Sequence, residues 1–230
     1  MDNIYALLDS LPLMRGASKT RLLDIIGKAK LHFLKFLPGE VISEAGTPCT
    51  HVRFIISGSV KSSICNPEMK FRVTQTLAAP AMLFPEYLFG KSPFVPAQVV
   101  ADTTCGVLQI EKKDYLRLLD SDPAFLFNFL NVLSTSGQRS VEGLLALTTG
   151  NLEERIAYWI VSLTQPEGTD IVMSCRAKDL YSIFGVSRSS LIATLDSMKD
   201  RGIITYTTHE INVVSRAALV QLLSGDSHKE

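Results

Sequence analysis

The stretch from Arg176 to Ile204, RAKDLYSIFGVSRSSLIATLDSMKDRGII, constrains this chain more than any other. Ala177, Leu180, Ile183 and Phe184 recur at three to four residues, the spacing of one helical face. Gly185 follows where a chain leaving a helix turns left-handed, a conformation that side chains resist. Ser187 can cap a second helix, with Leu191, Leu195 and Met198 as its buried stripe. The opposite face of that helix carries Arg188, Ser189, Ile192, Ala193 and Asp196. Two helices joined by so short a turn must cross steeply. The second then stands out as a ridge that fits a DNA major groove.

The residues that follow extend this helix-turn-helix into a winged helix. Gly202 ends the second helix, and Ile203–Thr207 and Ile211–Val214 read as two strands around the polar turn Thr208-His209-Glu210. Ser215 can cap a last helix that ends near Leu223. Candidate DNA contacts are Arg176, Lys178, Ser187, Arg188, Ser189, Ser190, Ile192, Ala193 and Lys199. Arginine can grip a guanine edge in fork geometry, serine can reach a base or a phosphate, and Ile192 or Ala193 can touch thymine methyls. Overall charge does not announce such a partner. The chain has 23 basic and 23 acidic residues, and residues 151–230 hold 8 Lys+Arg against 10 Asp+Glu, or −2. A local basic patch suffices, however, and a wholly basic domain is not required.

Upstream, Asn151 with Glu154 opens a helix in the manner of a capping box, and Leu152, Ile156, Trp159, Ile160 and Leu163 supply its inner face. Thr149-Gly150-Asn151 marks a hinge. Before it, Ser121-Asp122-Pro123 starts a long helix that runs to about Leu147. Phe125, Phe129, Val132, Ser136, Ser140 (or Gly143) and Leu147 fall near heptad spacing on that helix. So long an apolar stripe needs a cover, and a second copy of the same helix is the economical one. A dimerisation helix over 121–148 is the expectation.

The first part of the chain has a different period. Helices are expected over residues 3–10, through Ile4, Leu7 and Leu8, and after Ser18. From Phe33 to Leu108 come short apolar runs broken by Pro38-Gly39-Glu40, Gly46-Thr47-Pro48, Ser57-Gly58-Ser59 and Asn66-Pro67-Glu68. Turn signals at such intervals predict a small closed β-structure. The four cysteines (Cys49, Cys65, Cys105 and Cys175) show neither paired nor metal-ligand spacing. The chain shows no signal-peptide pattern and no apolar run long enough to span a bilayer, so a reduced cytoplasm and no membrane partner are expected. Histidines on separate segments, with no nucleophile or paired carboxylate at useful spacing, argue against an enzyme.

This order of elements resembles the CRP/FNR family of bacterial transcription regulators. Pro38-Gly39-Glu40-Val41-Ile42 with Gly46, then Phe54-Ile55-Ile56-Ser57-Gly58-Ser59-Val60-Lys61, look like the family's β-roll hairpin, and Gly185-Val186-Ser187-Arg188 looks like its turn into the recognition helix. The resemblance implies an α+β chain. It has an N-terminal double-stranded β-helix (a jelly-roll, cyclic-nucleotide-binding-like sensor, 1–120), the dimerisation helix (121–148) and a winged helix-turn-helix (149–230). It also implies a homodimer on double-stranded DNA, with RNA polymerase a candidate partner. The alternative is a small-molecule-binding module whose winged helix mediates protein contacts.

Three departures from the family pattern shape the expected input. Cyclic-nucleotide binders of this family use a Gly-Glu pair for the ribose and an Arg-Ser pair for the phosphate. The matching stretches here are Phe84-Pro85-Glu86 and Pro96-Ala97-Gln98, without the arginine, so cyclic AMP is not the expected effector. Arg72, Phe84, Glu86, Leu88 and Phe94 are candidates for a different effector pocket. No cysteine precedes Cys49, which removes a four-cysteine iron–sulfur cluster near the N-terminus, while haem through His32 or His51 stays open. Where many members read DNA with a glutamate and an arginine, Ser189 and Ala193 stand, with Arg188 kept beside them. The expected operator therefore differs from the usual half-site.

Overall fold

A computed structural model describes residues 30–223 apart from Thr149, together with Leu11, Met14 and Thr20. The helices expected over 3–10 and after Ser18 lie outside the described residues. The chain divides into two compact units. The first holds the described residues up to Ser62 and Leu77–Gly137, and the second holds Ser63–Thr76 and Gln138 onward. This division differs from the expected boundaries in two places: Ser63–Thr76 from the β-region group with the winged-helix residues, and the long helix contributes to both units.

In the first unit the short apolar runs become β1 (Leu31–Phe36), β2 (Val41–Ser43), β3 (His51–Ser57), β4 (Ser59–Cys65), β5 (Phe71–Ala78), β6 (Ala81–Met82), β7 (Gln98–Ala101) and β8 (Cys105–Glu111). One sheet has the order β1-β8-β3-β6, and β4, β7 and β2 are neighbours in the other. Phe54, Ile55, Val60, Val99, Val107, Leu108 and Ile110, none more than 0% exposed, form the interior. Gly58 makes the tight turn from β3 to β4 at φ +77°, where a Cβ would press on Cys105 at 2.9 Å. Only glycine fits that close approach. Two helices follow, α1 (Lys112–Ser121) and α2 (Pro123–Ala146). Asp122 starts α2 by accepting the Ala124 N–H at 2.8 Å, and Pro123 occupies the first helical position. With 24 residues, α2 is about 36 Å long.

The second unit contains α3 (Leu152–Ser162), β9 (Thr169–Cys175), α4 (Ala177–Phe184), α5 (Arg188–Asp200), β10 (Ile204–Tyr206), β11 (Glu210–Val213) and α6 (Arg216–Leu223). The local signals explain most of these bounds. Asn151 accepts from Glu154 N and Glu154 returns a bond to Asn151 N, a complete capping box. Gly150 (φ +80°) precedes it, at a spot where a Cβ would collide with the Glu154 carboxylate. Gly185 ends α4 left-handed at φ +64°. Ser215 caps α6 by accepting the Ala218 N–H at 3.1 Å. Ile156, Ile160, Met173, Leu191, Met198 and Leu219 are fully buried in one cluster. Two residues expected on inner faces are absent from it: Ile183 and Leu163 are 43% and 37% exposed, and on α4 Leu180 and Phe184 are the buried pair.

Candidate nucleic-acid interface

The cap of α5 is built as the sequence predicts. Ser187 Oγ accepts the Ser190 N–H at 3.2 Å and lies 3.0 Å from Ser189 Oγ, so its hydroxyl serves the helix end first. Leu191, Leu195 and Met198 are buried, which turns Arg188, Ser189, Ser190, Ala193 and Lys199 outward, with Ile192 half-buried at the margin. All nine candidate contacts therefore lie on one unit, and the α5 members form an exposed ridge.

The neighbouring charges are not equivalent. Arg176 donates through two nitrogens to Asp179, at 2.8 and 3.1 Å. That bond holds the Asp179 carboxyl below its ordinary range and the guanidinium above its own. Arg176 is thus partly neutralised before any phosphate arrives, whereas Lys178 stands exposed on the next turn. Arg201 is drawn away from the ridge by an ion pair with Glu153.

Asp196 on α5 accepts the Tyr206 hydroxyl at 2.6 Å, tying the recognition helix to β10 of the wing. This hydrogen bond, more than burial, pushes the Tyr206 phenol up to about 12. Lys199 sits 6.0 Å from the same ring. The wing turn is fixed by Thr207, whose Oγ1 accepts the N–H groups of His209 and Glu210, both at 3.2 Å. An apolar hollow of about 80 Å³ lies under the ridge, lined by Cys175, Leu180, Ile192, Leu195 and Ile211 among others. Burial there raises the Cys175 thiol to about 11, which keeps it protonated and unreactive.

Two arginines that the sequence reading passed over hold the helix ends. Arg155 donates to Leu147 O at 2.7 Å and to Phe184 O at 2.6 Å, joining the end of α2 to the end of α4. Arg139 donates to Val161 O and Thr164 O at 3.1 and 2.6 Å, at the end of α3. Carbonyls at helix C-termini lack partners within the helix, and a cation there also suits the helix dipole. The signal was faint in the sequence, because both arginines act on carbonyls remote from them.

Comparison with known proteins bears on this arrangement directly. Residues 33–122 match the cyclic nucleotide-binding domain, and residues 154–222 match the Crp-like helix-turn-helix domain. Over 180 residues the chain is 24% identical to the cAMP-activated global transcriptional regulator CRP of Haemophilus influenzae, covering 75% of this chain and 80% of that one. The chain belongs to the CRP/FNR family. Its fold is that of the catabolite activator protein of Thermus thermophilus (TM-score 0.53, 19% identity, 93% of this chain and 99% of that one). It is also that of the c-di-GMP responsive global regulator CLP of Xanthomonas campestris (TM-score 0.51, 16% identity, 86% and 100%).

As a CRP/FNR chain it carries a β-roll, but its interior gathers only some of the expected effector residues. Phe84 and Leu88 are 8% and 1% exposed, and Glu86 is half-buried on the short 3₁₀ turn Pro85–Tyr87. Phe84 enters that turn at φ 50°, ψ 52°, a left-handed conformation unusual for a bulky residue. Phe94 is 49% exposed, because its backbone bridges to Pro48 at the surface, and Arg72 belongs to the second unit, opposite Ser174 on β9. Two other residues do turn inward: Ser43 on β2 and Ser62 on β4 are 7% and 1% exposed, and neither hydroxyl has a hydrogen-bond partner. Of the candidate haem ligands, His32 is exposed on β1 and His51 Nδ1 lies 2.8 Å from Thr50 Oγ1. No group of three or more metal-binding side chains occurs among the described residues.

Burial along α2 divides the expected dimerisation stripe. Phe125 and Phe129 are 4% and 3% exposed, and Phe129 meets Phe89 and Tyr115 edge-on at 5.7 Å each. Val132, Ser136 and Leu147 are half-buried on the same side, and only Ser140 is open. The exposed apolar stripe is instead Phe127 (64%), Leu130 (48%), Val141 (57%) and Leu144 (68%), with Ser134 and Gly137 between them. That set alternates strictly by three and four residues, a spacing also found along the seams of two-stranded coiled coils. No helix among the described residues is long and apolar enough to cross a membrane.

Proposed function

We propose that this transcription regulator acts as a homodimer on a palindromic operator that it reads with Arg188 and Ser189, under the control of an effector other than cyclic AMP. The observation that carries the DNA reading is the exposed α5 ridge, capped by Ser187 and braced to the wing through Asp196 and Tyr206. Doubled by two-fold symmetry, two such ridges would enter successive major grooves about 34 Å apart. Pairing of two copies through Phe127, Leu130, Ser134, Gly137, Val141 and Leu144 fits the exposed seam of α2. The wild-type protein should enrich a duplex with two inverted half-sites from a random-sequence library. An enriched duplex without inverted symmetry, or none, would remove this reading.

The effector part rests on the β-roll interior. A cyclic phosphodiester needs a buried cation, and Pro96 stands where the family's arginine would be. Among the described residues of the first unit the arginines are Arg53, whose Nε donates to Gln109 Oε1 at 3.0 Å, and Arg117, which pairs with Asp114 at 77% side-chain exposure. The cyclic phosphate does not fit this donor set. An uncharged molecule fits better. β2 and β4 flank β7 in the sheet, so the Ser43 and Ser62 hydroxyls offer two hydrogen-bonding groups roughly 10 Å apart across it. Native mass spectrometry and absorbance of protein purified from its host would report the dimer, a retained ligand and any haem. Saturable binding of cyclic AMP in calorimetry would overturn the effector proposal.

A further inference from the structure

A winged helix supplies three strands from its own sequence, here β9, β10 and β11, yet the sheet of the second unit runs β10-β11-β9-β5. The fourth strand comes from about a hundred residues upstream. Phe71 lies opposite Cys175, Arg72 opposite Ser174, Val73 opposite Met173 and Thr74 opposite Val172, in antiparallel register. Side chains seal the added strand. Val73 is 3% exposed within the same cluster as Ile156, Met173 and Leu195. The Phe71 ring lies 5.1 Å from that of Trp159, which in turn meets Phe184 edge-on at 5.5 Å. Gln75 Oε1 accepts the Gln165 N–H at 2.8 Å, and a Cβ at Gly168 would collide with that oxygen.

These contacts bear on both ends of α4, the first helix of the helix-turn-helix. Its N-terminal end follows directly from β9, since Cys175 closes the strand and Arg176 is the residue before the helix. Its C-terminal end is Phe184, the last ring of the Phe71–Trp159–Phe184 series, and α5 begins four residues later. An unpaired β9 edge would also leave a row of N–H and C=O groups open.

We propose that Phe71, Val73 and Gln75 are positioning residues for DNA recognition. The hairpin tip sets the angle of α4, and through it the angle at which α5 presents Arg188 and Ser189. β5 continues without interruption into Leu77 and Ala78, which belong to the first unit.

Trp159 is the chain's only tryptophan, so the emission comes from the one ring that stands between Phe71 and Phe184. The test uses the full-length protein and the duplex that the wild type enriches from a random-sequence library; it rests on the DNA reading above. Phe71→Ala should red-shift the emission, leave the helical circular dichroism unchanged and weaken binding to that duplex about tenfold, or about 1.4 kcal/mol. Phe71→Tyr should restore both readouts. An emission shift with affinity held within twofold would mean that the strand only fills the core, and would overturn the proposal. So would an unchanged emission together with unchanged affinity. Where Phe71→Ala does not fold, Phe71→Leu keeps an apolar side chain and should give the same two changes, smaller in size; its failure to change affinity overturns the proposal equally. A wild type that enriches no duplex overturns both this inference and the DNA reading, whereas variants that bind as the wild type does overturn this inference alone.

Discussion

The two units treat their polar groups differently. In the second, side-chain donors close the helix ends: Arg155 bridges Leu147 O and Phe184 O, Arg139 bridges Val161 O and Thr164 O, and Thr164 Oγ1 donates to Ile160 O at 2.9 Å. In the first, the hydroxyls of Ser43, Ser62 and Tyr115 are buried without a partner, and Phe84 holds a left-handed backbone. Burial drives the Tyr115 phenol well above its ordinary range. Three buried atoms among the described residues of the second unit also lack a hydrogen-bond partner, Thr76 Oγ1, Arg216 Nε and Glu153 Oε1, the last ion-paired with Arg201, but none lies on α4 or α5. An unpartnered buried hydroxyl costs about 1–3 kcal/mol. Such groups persist most easily where a ligand can complete them. The winged-helix half closes its helix ends with side-chain donors, whereas the β-roll half, among the described residues, leaves three buried hydroxyls without a hydrogen-bond partner.

The most forceful way to break this comparison acts on the helix that serves both units. Leu144→Glu places two like charges in the proposed seam, while the residue is 68% exposed in the single chain and its own fold should tolerate the change. Dimer dissociation should become at least about a hundredfold easier in sedimentation, roughly 3 kcal/mol. An unchanged dimer would return the seam to the buried stripe. Next in size, Arg155→Met removes two charge-assisted bonds and strands two carbonyls. It should lower stability by about 2–4 kcal/mol, read as a lower denaturant midpoint at constant slope. A loss under half a kilocalorie per mole would mean that the helix ends are not held as described.

Arg188→Ala should weaken specific binding by about 1–3 kcal/mol and relax the operator at one position, while nonspecific binding changes little. Equal affinity in a gel-shift titration at fixed salt would take the assignment away. The comparison is sharpened most directly by two hydroxyl deletions. Ser62→Ala should be neutral or stabilise by about 1 kcal/mol, because it removes an unpartnered group, whereas Thr164→Val should destabilise by about 1 kcal/mol, because it breaks a made bond. The same sign for both would erase the distinction between the units.

The smallest effect is a titration. Tyr206 is raised to about 12 by its bond to Asp196, so the stability that this bond contributes is full below the ordinary phenol value near 10 and is lost as pH rises through about 12. Asp196→Asn should bring one of the six tyrosines back toward 10 in an ultraviolet titration. A superimposable curve would show that the recognition helix and the wing are not joined there.

Much of the helix-turn-helix is legible in the residues, because its signals are local. Gly185, Ser187 and the Asn151–Glu154 box act within four residues of their own positions, and each stands where the spacing puts it. The exposed stripe of α2 was equally open to reading. Phe127, Leu130, Ser134, Gly137, Val141 and Leu144 keep a stricter alternation than the set beginning at Phe125, but the larger aromatic pair drew the assignment inward. Both stripes are apolar, and period alone does not say which one meets the chain's own β-roll.

Sequence by itself determined the order of elements, the turns and caps that bound them, and the side of α5 that points outward. Each of these follows from backbone preferences and periodicity over a few residues. The tertiary structure alone decided that Phe71–Thr76 join the winged-helix sheet, that Arg72 lies opposite Ser174 on β9, and that Arg155 spans two helix ends. Those depend on which distant groups meet, and a strand edge or an open carbonyl accepts any partner of the right shape. Their physical cause is the need to pair buried polar groups, which the fold as a whole must satisfy.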